Sequence, residues 1–375
     1  MASQDSGWEW ISSSAGLREA CAEVVARGVV AVDTEFRRRD TFYPQIALLQ
    51  LATEDKCWLV DPLSIDDHHA IGSLLVDHRV TKILHSASED LEVFERWLGV
   101  APVHWVDTQK AAAMLNMGFG LSYRGLVAAL LDIELSKDET NSDWLARPLS
   151  EAQCQYAAAD VQFLALCWPI IEGMAERRNI LDWLYAESAA QTTGGRGPLA
   201  KFKSAWKLST DQLAVLLALL DWRELTARAT DKPRSWIVPD RTINELARVM
   251  PENKHKLSNI DGLPASSIRR YGASLLDVIA QGRALAKEVP PSPLPAPASA
   301  ATRALAKRLA PALQDLAQGL SMNVEILMPN RELELLAREA TGETIEIPPA
   351  WLGWRAEAVI RPMRDVAAKI GASPC

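Results

Sequence analysis

Apolar residues fall in short runs early in the chain and at helical spacing later. Residues 29 to 36 (VVAVDTEF), 46 to 53 (IALLQLAT) and 57 to 62 (CWLVDP) are brief, apolar and closely connected, which predicts three strands paired consecutively and antiparallel. A helical pattern follows through about Ser73 to Val76. TKILHSA (81 to 87) then predicts a strand entering the helix EDLEVFERWLG, with Gly99 as its stop. HWVDTQKAAAML repeats the strand-to-helix theme, and helical stretches over 121 to 131 and 150 to 178 complete this half. Strands first, then strand and helix alternating, predict a mixed sheet flanked by helices.

The rest of the chain reads as helix only. QTTGGRGPLA (191 to 200) is a polar, Gly-rich break. Beyond it, Ser209 and Gln212 have capping-box spacing, and Leu213, Leu216, Leu217 and Leu220 share one helical face. EVPPSPLPAPASAA (288 to 301) predicts a semi-rigid Pro/Ala linker before a last helical segment, 302 to 372. The expected domains are therefore 1–195 (α/β), 203–287 (helical), the linker 288–301 and 302–375 (helical).

Composition changes this picture at one point only. With 375 residues, 48% hydrophobic and 23% charged, the chain has the make-up of a folding globular protein of two or three domains. The net charge of -8 is uneven: residues 1 to 200 carry 16 Lys and Arg against 29 Asp and Glu, residues 201 to 287 carry 15 against 9, and the remainder 9 against 10. A basic segment inside an acidic protein suggests a module for polyanions. Five cysteines form no C-x-x-C pair and six histidines no zinc-ligand spacing. No leader pattern and no uninterrupted run of about 18 apolar residues is seen, so a cytoplasmic protein with no membrane contact is expected. The absence of G-x-x-x-x-G-K-[ST] argues against a P-loop ATPase.

The chemistry lies in the acids. Asp33 and Glu35 are two apart on a strand and share a face. Like charges held together repel unless a cation sits between them, and hard divalent ions prefer such oxygen ligands. Asp90 falls in the first turn of a helix, where a carboxylate also complements the helix dipole. Tyr156 and Asp160 are four apart on a helix, separated only by Ala, which allows close approach of another surface.

In that order, D-x-E, D and Y-x-x-x-D resemble the DEDD exonuclease superfamily with a tyrosine in its last motif. VDTEF, LLQLA, LVDP, HSASEDLEVF, DTQ and SDWLARPLSEAQCQYAAADVQFL together resemble the bacterial ribonuclease D family over most of residues 25 to 170. LSTDQLAVLLALLDWRELTARATDKPRSWIVPDRTINELARVMP with IDGLPASSIRRYGASLLDVI resembles the HRDC domain, and LLAREATGETIEIPPAWLGWRAEAVIRPM a second such domain. The resemblance implies a ribonuclease-H-like (DnaQ-like exonuclease) α/β domain followed by two small all-α HRDC domains. It implies a 3′-to-5′ exoribonuclease releasing nucleoside 5′-monophosphates, with precursor tRNAs carrying a free 3′ end as substrate. Asp33, Glu35, Asp90 and Asp160 would hold two divalent ions, Mg²⁺ or Mn²⁺, and Tyr156 would position the attacking water.

Several readings stay open at this level. Phe36 and Trp144 suit either base stacking or the core. Arg269 and Arg270, after the DGLP turn, suit phosphate contact or a surface turn. Arg37, Arg38 and Arg39 offer the same choice. His85, Asp107 and Gln50 read as core or supporting hydrogen-bond groups. A silent nucleic-acid-binding scaffold and a DNA exonuclease remain alternatives, and a monomer is expected.

Overall fold

Val29–Arg37 alternates Val30, Val32 and Thr34 with Ala31, Asp33 and Glu35, and the strand it forms is central to a six-stranded sheet. The computed structural model describes residues 7–135, 142–191 and 197–372, so residues 192–196 of the Gly-rich break lie outside the described residues. In chain order the first half forms β1 (Glu9–Ile11), α1 (Ser14–Arg27), β2 (Val29–Arg37), β3 (Gln45–Ala52), β4 (Cys57–Val60) and α2 (His69–Leu75). It continues with β5 (Thr81–Leu84), α3 (Ser88–Leu98), β6 (Trp105–Asp107), α4 (Thr108–Met114), α5 (Tyr123–Leu131), α6 (Glu151–Arg177) and α7 (Leu181–Ala189).

The sheet order is β1-β4-β3-β2-β5-β6. β2, β3 and β4 pair antiparallel as the short connections predict, and β5 and β6 add in parallel. The edge strand β1 was not predicted: three residues are too few to show a period, and its parallel pairing with β4 is set by packing.

Strand alternation gives the sheet two different faces. Val30 and Val32 join Leu49, Leu51, Val60 and residues of α1, α2 and α3 in one core. Ala31, Leu48, Ala52 and Leu59 join Ala157, Ala158 and Val161 of α6 in the other. Asp33 and Glu35 therefore project on the α6 side. α6 is the one described helix long and apolar enough to cross a membrane, yet here it is the central helix packed on the sheet. Its start is fixed by a capping box between Ser150 and Gln153.

By packing, the described chain divides into two units, and the division does not follow chain order. The first holds residues 1–37, 45–193 and 298–375, and the second holds 38–44 and 194–297. The later helices of the first unit are α13 (Ala300–Leu320), α14 (Val324–Leu327), α15 (Asn330–Ala340) and α16 (Arg361–Ala372), numbered after those of the second. Leu309, Leu313, Leu327 and Leu336 are buried in the same core as Met114 and Trp168, each such Leu contributing roughly 1.5–3 kcal/mol. Asn323 N donates to Ala113 O at 2.9 Å, and Trp183 stacks on Trp354 at 4.8 Å. The terminal segment, expected as a domain of its own, thus shares its core with the α/β part.

The second unit contains α8 (Thr210–Thr230), α9 (Arg234–Ile237), α10 (Asp240–Val249), α11 (Lys254–Ser258) and α12 (Ala265–Glu288). The capping box of Ser209 and Gln212 starts α8 as expected. A Cβ on Gly282 would lie 2.9 Å from the Val215 Cα, so α12 packs on α8 at a distance only glycine allows. Phe42, from the loop between β2 and β3, belongs to this core, and the Phe42 and Tyr43 amides both donate to Asp231 at 3.0 Å.

Candidate active site

Strand register and helix packing bring together residues that the sequence separates by more than a hundred positions. Carboxylate oxygens of Asp33, Glu35 and Asp160, all half-buried, lie within 4.8 Å of one another. The Tyr156 hydroxyl donates to Asp160. Ala157 and Ala158 are buried, which is how α6 approaches the sheet closely enough for the three acids to meet.

Asp90 is placed differently. It sits in the first turn of α3, is 7% exposed, and accepts a 2.5 Å hydrogen bond from Thr34 Oγ1. It lies outside the three-carboxylate group yet close enough for its charge to bear on Glu35 and for that of Asp33 to bear on it. Thr34 was not singled out from sequence, since a threonine between two acids looks like ordinary strand filler.

Electrostatics set this group apart. Burial, and then the charge of Asp160, push Asp33 up to about 8. Burial followed by Asp33, Asp160 and Asp90 pushes Glu35 up to about 9. Burial raises Asp160 to about 7 against the opposing hydrogen bond from Tyr156, and burial with Asp33 holds Asp90 well above the usual carboxylate range. Among the described residues no Lys or Arg pairs with Asp33, Glu35 or Asp160. Left alone, such acids take up protons; a divalent cation is the partner that lets them ionise together.

Supporting contacts hold the frame. Asp107 accepts from the Ser86, Ala87 and Gln109 amides, fixing the turn that leads into α3 and Asp90. His85 bonds Thr108 Oγ1 and Leu121 O, and burial lowers its pKa. Arg147 donates to both Asp61 oxygens and to the carbonyl of Ala47, tying the segment before α6 to the sheet. Tyr123 donates to Ala159 O at 2.6 Å, beside Asp160; one aromatic in an amphipathic helix gave no sign of this role in the sequence.

The remaining candidates scatter. Trp144 is 5% exposed and packed in the core, its ring 6.0 Å from that of Tyr156, so the core reading describes where it lies. Phe36 is half-buried, follows the strand irregularity at Glu35, and belongs to none of the three cores. Arg269 and Arg270 are exposed on α12, in the second unit. Arg38 Nε donates to Phe42 O.

The chain resembles known proteins over nearly its whole length. A 3′-5′ exonuclease family model matches residues 8–176, and an HRDC domain model matches residues 212–279. Ribonuclease D of Pseudomonas paraeruginosa is 39% identical over 357 residues, covering 93% of this chain and 94% of that one. Ribonuclease D of Escherichia coli is 31% identical over 371 residues, covering 96% and 98%. The crystal structure of the Escherichia coli enzyme, described as an exoribonuclease involved in structured RNA processing, superposes with a TM-score of 0.86 at 30% identity, covering 96% of this chain and 99% of that one. With its acidic cluster, its mixed sheet and this similarity over nearly its whole length, the chain belongs to the ribonuclease D family of 3′-to-5′ exoribonucleases.

Proposed function

We propose that the Asp33, Glu35, Asp90 and Asp160 carboxylates hold two divalent ions, Mg²⁺ or Mn²⁺, and that phosphodiester hydrolysis at an RNA 3′ end takes place there, releasing nucleoside 5′-monophosphates. One observation carries this reading: three half-buried carboxylates meet within 4.8 Å, and among the described residues no basic side chain pairs with them. The donor set is all oxygen and anionic, which suits a hard divalent cation. Bound there, such ions supply an ionised water at neutral pH and stabilise charge on the non-bridging oxygens.

The chain's own residues do the rest. Burial, with the charges of Asp160, Glu35 and Asp33, raises the Tyr156 phenol above its ordinary value, so it stays protonated at neutral pH and positions the attacking water instead of accepting its proton. Thr34 orients the Asp90 carboxylate. Phe36, outside the cores at the end of β2, supplies a stacking face for the terminal base.

Precursor tRNAs with a free 3′ end are the proposed substrate, held through the basic segment at 201 to 287, where Arg269 and Arg270 are exposed to meet phosphates. We read 302–375 as a second HRDC-like domain. Its support is a shared order of elements: α8 and α13 are each 21 residues, α9 and α14 are each 4, and Pro239 and Pro329 precede α10 and α15. The protein is taken to act as a monomer in the cytoplasm.

The test is a 5′-labelled single-stranded RNA incubated with Mg²⁺ and either wild type or Asp160→Asn, with products resolved on a sequencing gel. Shortening from the 3′ end by wild type alone is expected. Equal shortening by the variant would remove these acids from the mechanism.

A further inference from the structure

Gln50 is the one polar residue inside an otherwise apolar stretch of β3. Ala47, Leu48, Leu49, Leu51 and Ala52 around it are fully buried, and Gln50 itself is 0% exposed. Neither its side-chain nitrogen nor its oxygen has a hydrogen-bond partner among the described residues. A buried primary amide with both ends unpaired is costly, and an apolar residue of the same shape would relieve that cost. The strand tolerates a local inconsistency of the kind found where function requires it.

Register shows what the residue faces. Gln50 is the antiparallel partner of Asp33 on one side and of Leu59 on the other. Directly opposed residues in such a pair have Cβ atoms about 4.5–5.5 Å apart on the same face of the sheet. Gln50 thus stands beside Asp33 on the face covered by α6, the helix that carries Tyr156 and Asp160.

We infer that Gln50 is a positioning residue for Asp33: its Nε2–H, unpaired here, would donate to an Asp33 carboxylate oxygen once the acids hold a cation. A carboxylate ligand uses one oxygen on the ion and needs a donor for the other, and such outer partners fix the orientation of the ligand. A neutral amide does this without competing with the cation for the site, which a Lys or Arg at this position would do. The inference rests on the proposed metal role of Asp33, Glu35 and Asp160.

The experiment is calorimetric titration of Mn²⁺ into the full chain as wild type, Gln50→Met and Asp160→Asn, with each protein also melted in chelator. Gln50→Met is expected to melt at an unchanged or higher temperature in chelator and to bind Mn²⁺ about 10- to 100-fold more weakly than wild type. Wild-type affinity in Gln50→Met, with binding lost in Asp160→Asn, would overturn the positioning role and leave the metal site standing. No binding by wild type would overturn the metal reading itself, and this inference with it. Should Gln50→Met fail to fold, the assigned Gln50 side-chain amide of wild type is followed by NMR. A resonance that moves and exchanges more slowly on Mg²⁺ saturation supports the role, and one that does neither overturns it.

Discussion

Two sets of acids in the first unit are handled in opposite ways. Asp61 is tied by Arg147 at 2.7 Å, and Glu187 by Arg355 at 2.5 Å with Lys110 at 3.6 Å. Among the described residues, Asp33, Glu35 and Asp160 meet each other and no basic group. The acids that hold the fold together carry their cation in the chain. Those at the site have room left for one from outside, and the raised pKa values of Asp33, Glu35 and Asp160 measure how poorly the fold alone tolerates their charge.

The sharpest way to break this contrast is to remove a carboxylate from each set. Asp33→Asn should lower the single-turnover rate on a 5′-labelled RNA by about 10³-fold or more, since a metal ligand carries several kcal/mol of transition-state stabilisation. The melting temperature in chelator should rise or hold, because a carboxyl that the metal-free fold must keep protonated is gone. Arg355→Met should do the reverse. It leaves Glu187 only Lys110 at 3.6 Å and should cost about 3 kcal/mol in urea unfolding, with the rate per folded molecule unchanged.

Smaller effects sharpen the comparison. Tyr156→Phe removes one hydrogen bond to Asp160 and should slow single-turnover cleavage by about 10- to 100-fold, the equivalent of a charged hydrogen bond of roughly 1.5–3 kcal/mol. Losses equal to those of Asp33→Asn would contradict a merely positioning phenol.

The pH dependence should differ between the sets as well. Asp33, Glu35 and Asp160 have folded-state values of about 8, 9 and 7, above those of an unfolded chain, so the folded state holds protons that the unfolded chain has released. Their stabilising contribution is full below the ordinary carboxylate range near 4 and is lost as pH rises through 7 to 9. Metal-free wild type should therefore melt lower at pH 9 than at pH 6, and saturating Mg²⁺ should flatten that slope. A flat metal-free profile would show that the three acids are already compensated. Asp61 is held below the usual range by Arg147, Ser64 and the Leu63 amide in spite of burial, so its contribution is present at neutral pH and fades only on acidification.

Legibility followed the range of the interaction. The mixed sheet and the helix starts at Ser150 and Ser209 follow from patterns a few residues long. β1 escaped because three residues carry no period, and Tyr123 escaped because its partner, the carbonyl of Ala159, lies on another helix. Asp90 was expected with the other three acids, and the structure sets it apart on Thr34, an orientation that spacing along the chain cannot encode.

By itself the sequence determined which residues could act together. Period two put Asp33 and Glu35 on one face of a strand, and helical spacing put Tyr156 and Asp160 on one face of a helix, because both are fixed by local backbone geometry. Only the tertiary structure decided that these faces meet, that Gln50 stands beside Asp33 in the register, and that helices α13 to α16 share a core with the first half. Those outcomes depend on which apolar surfaces bury one another, and burial of surface is non-directional and carries no address along the chain.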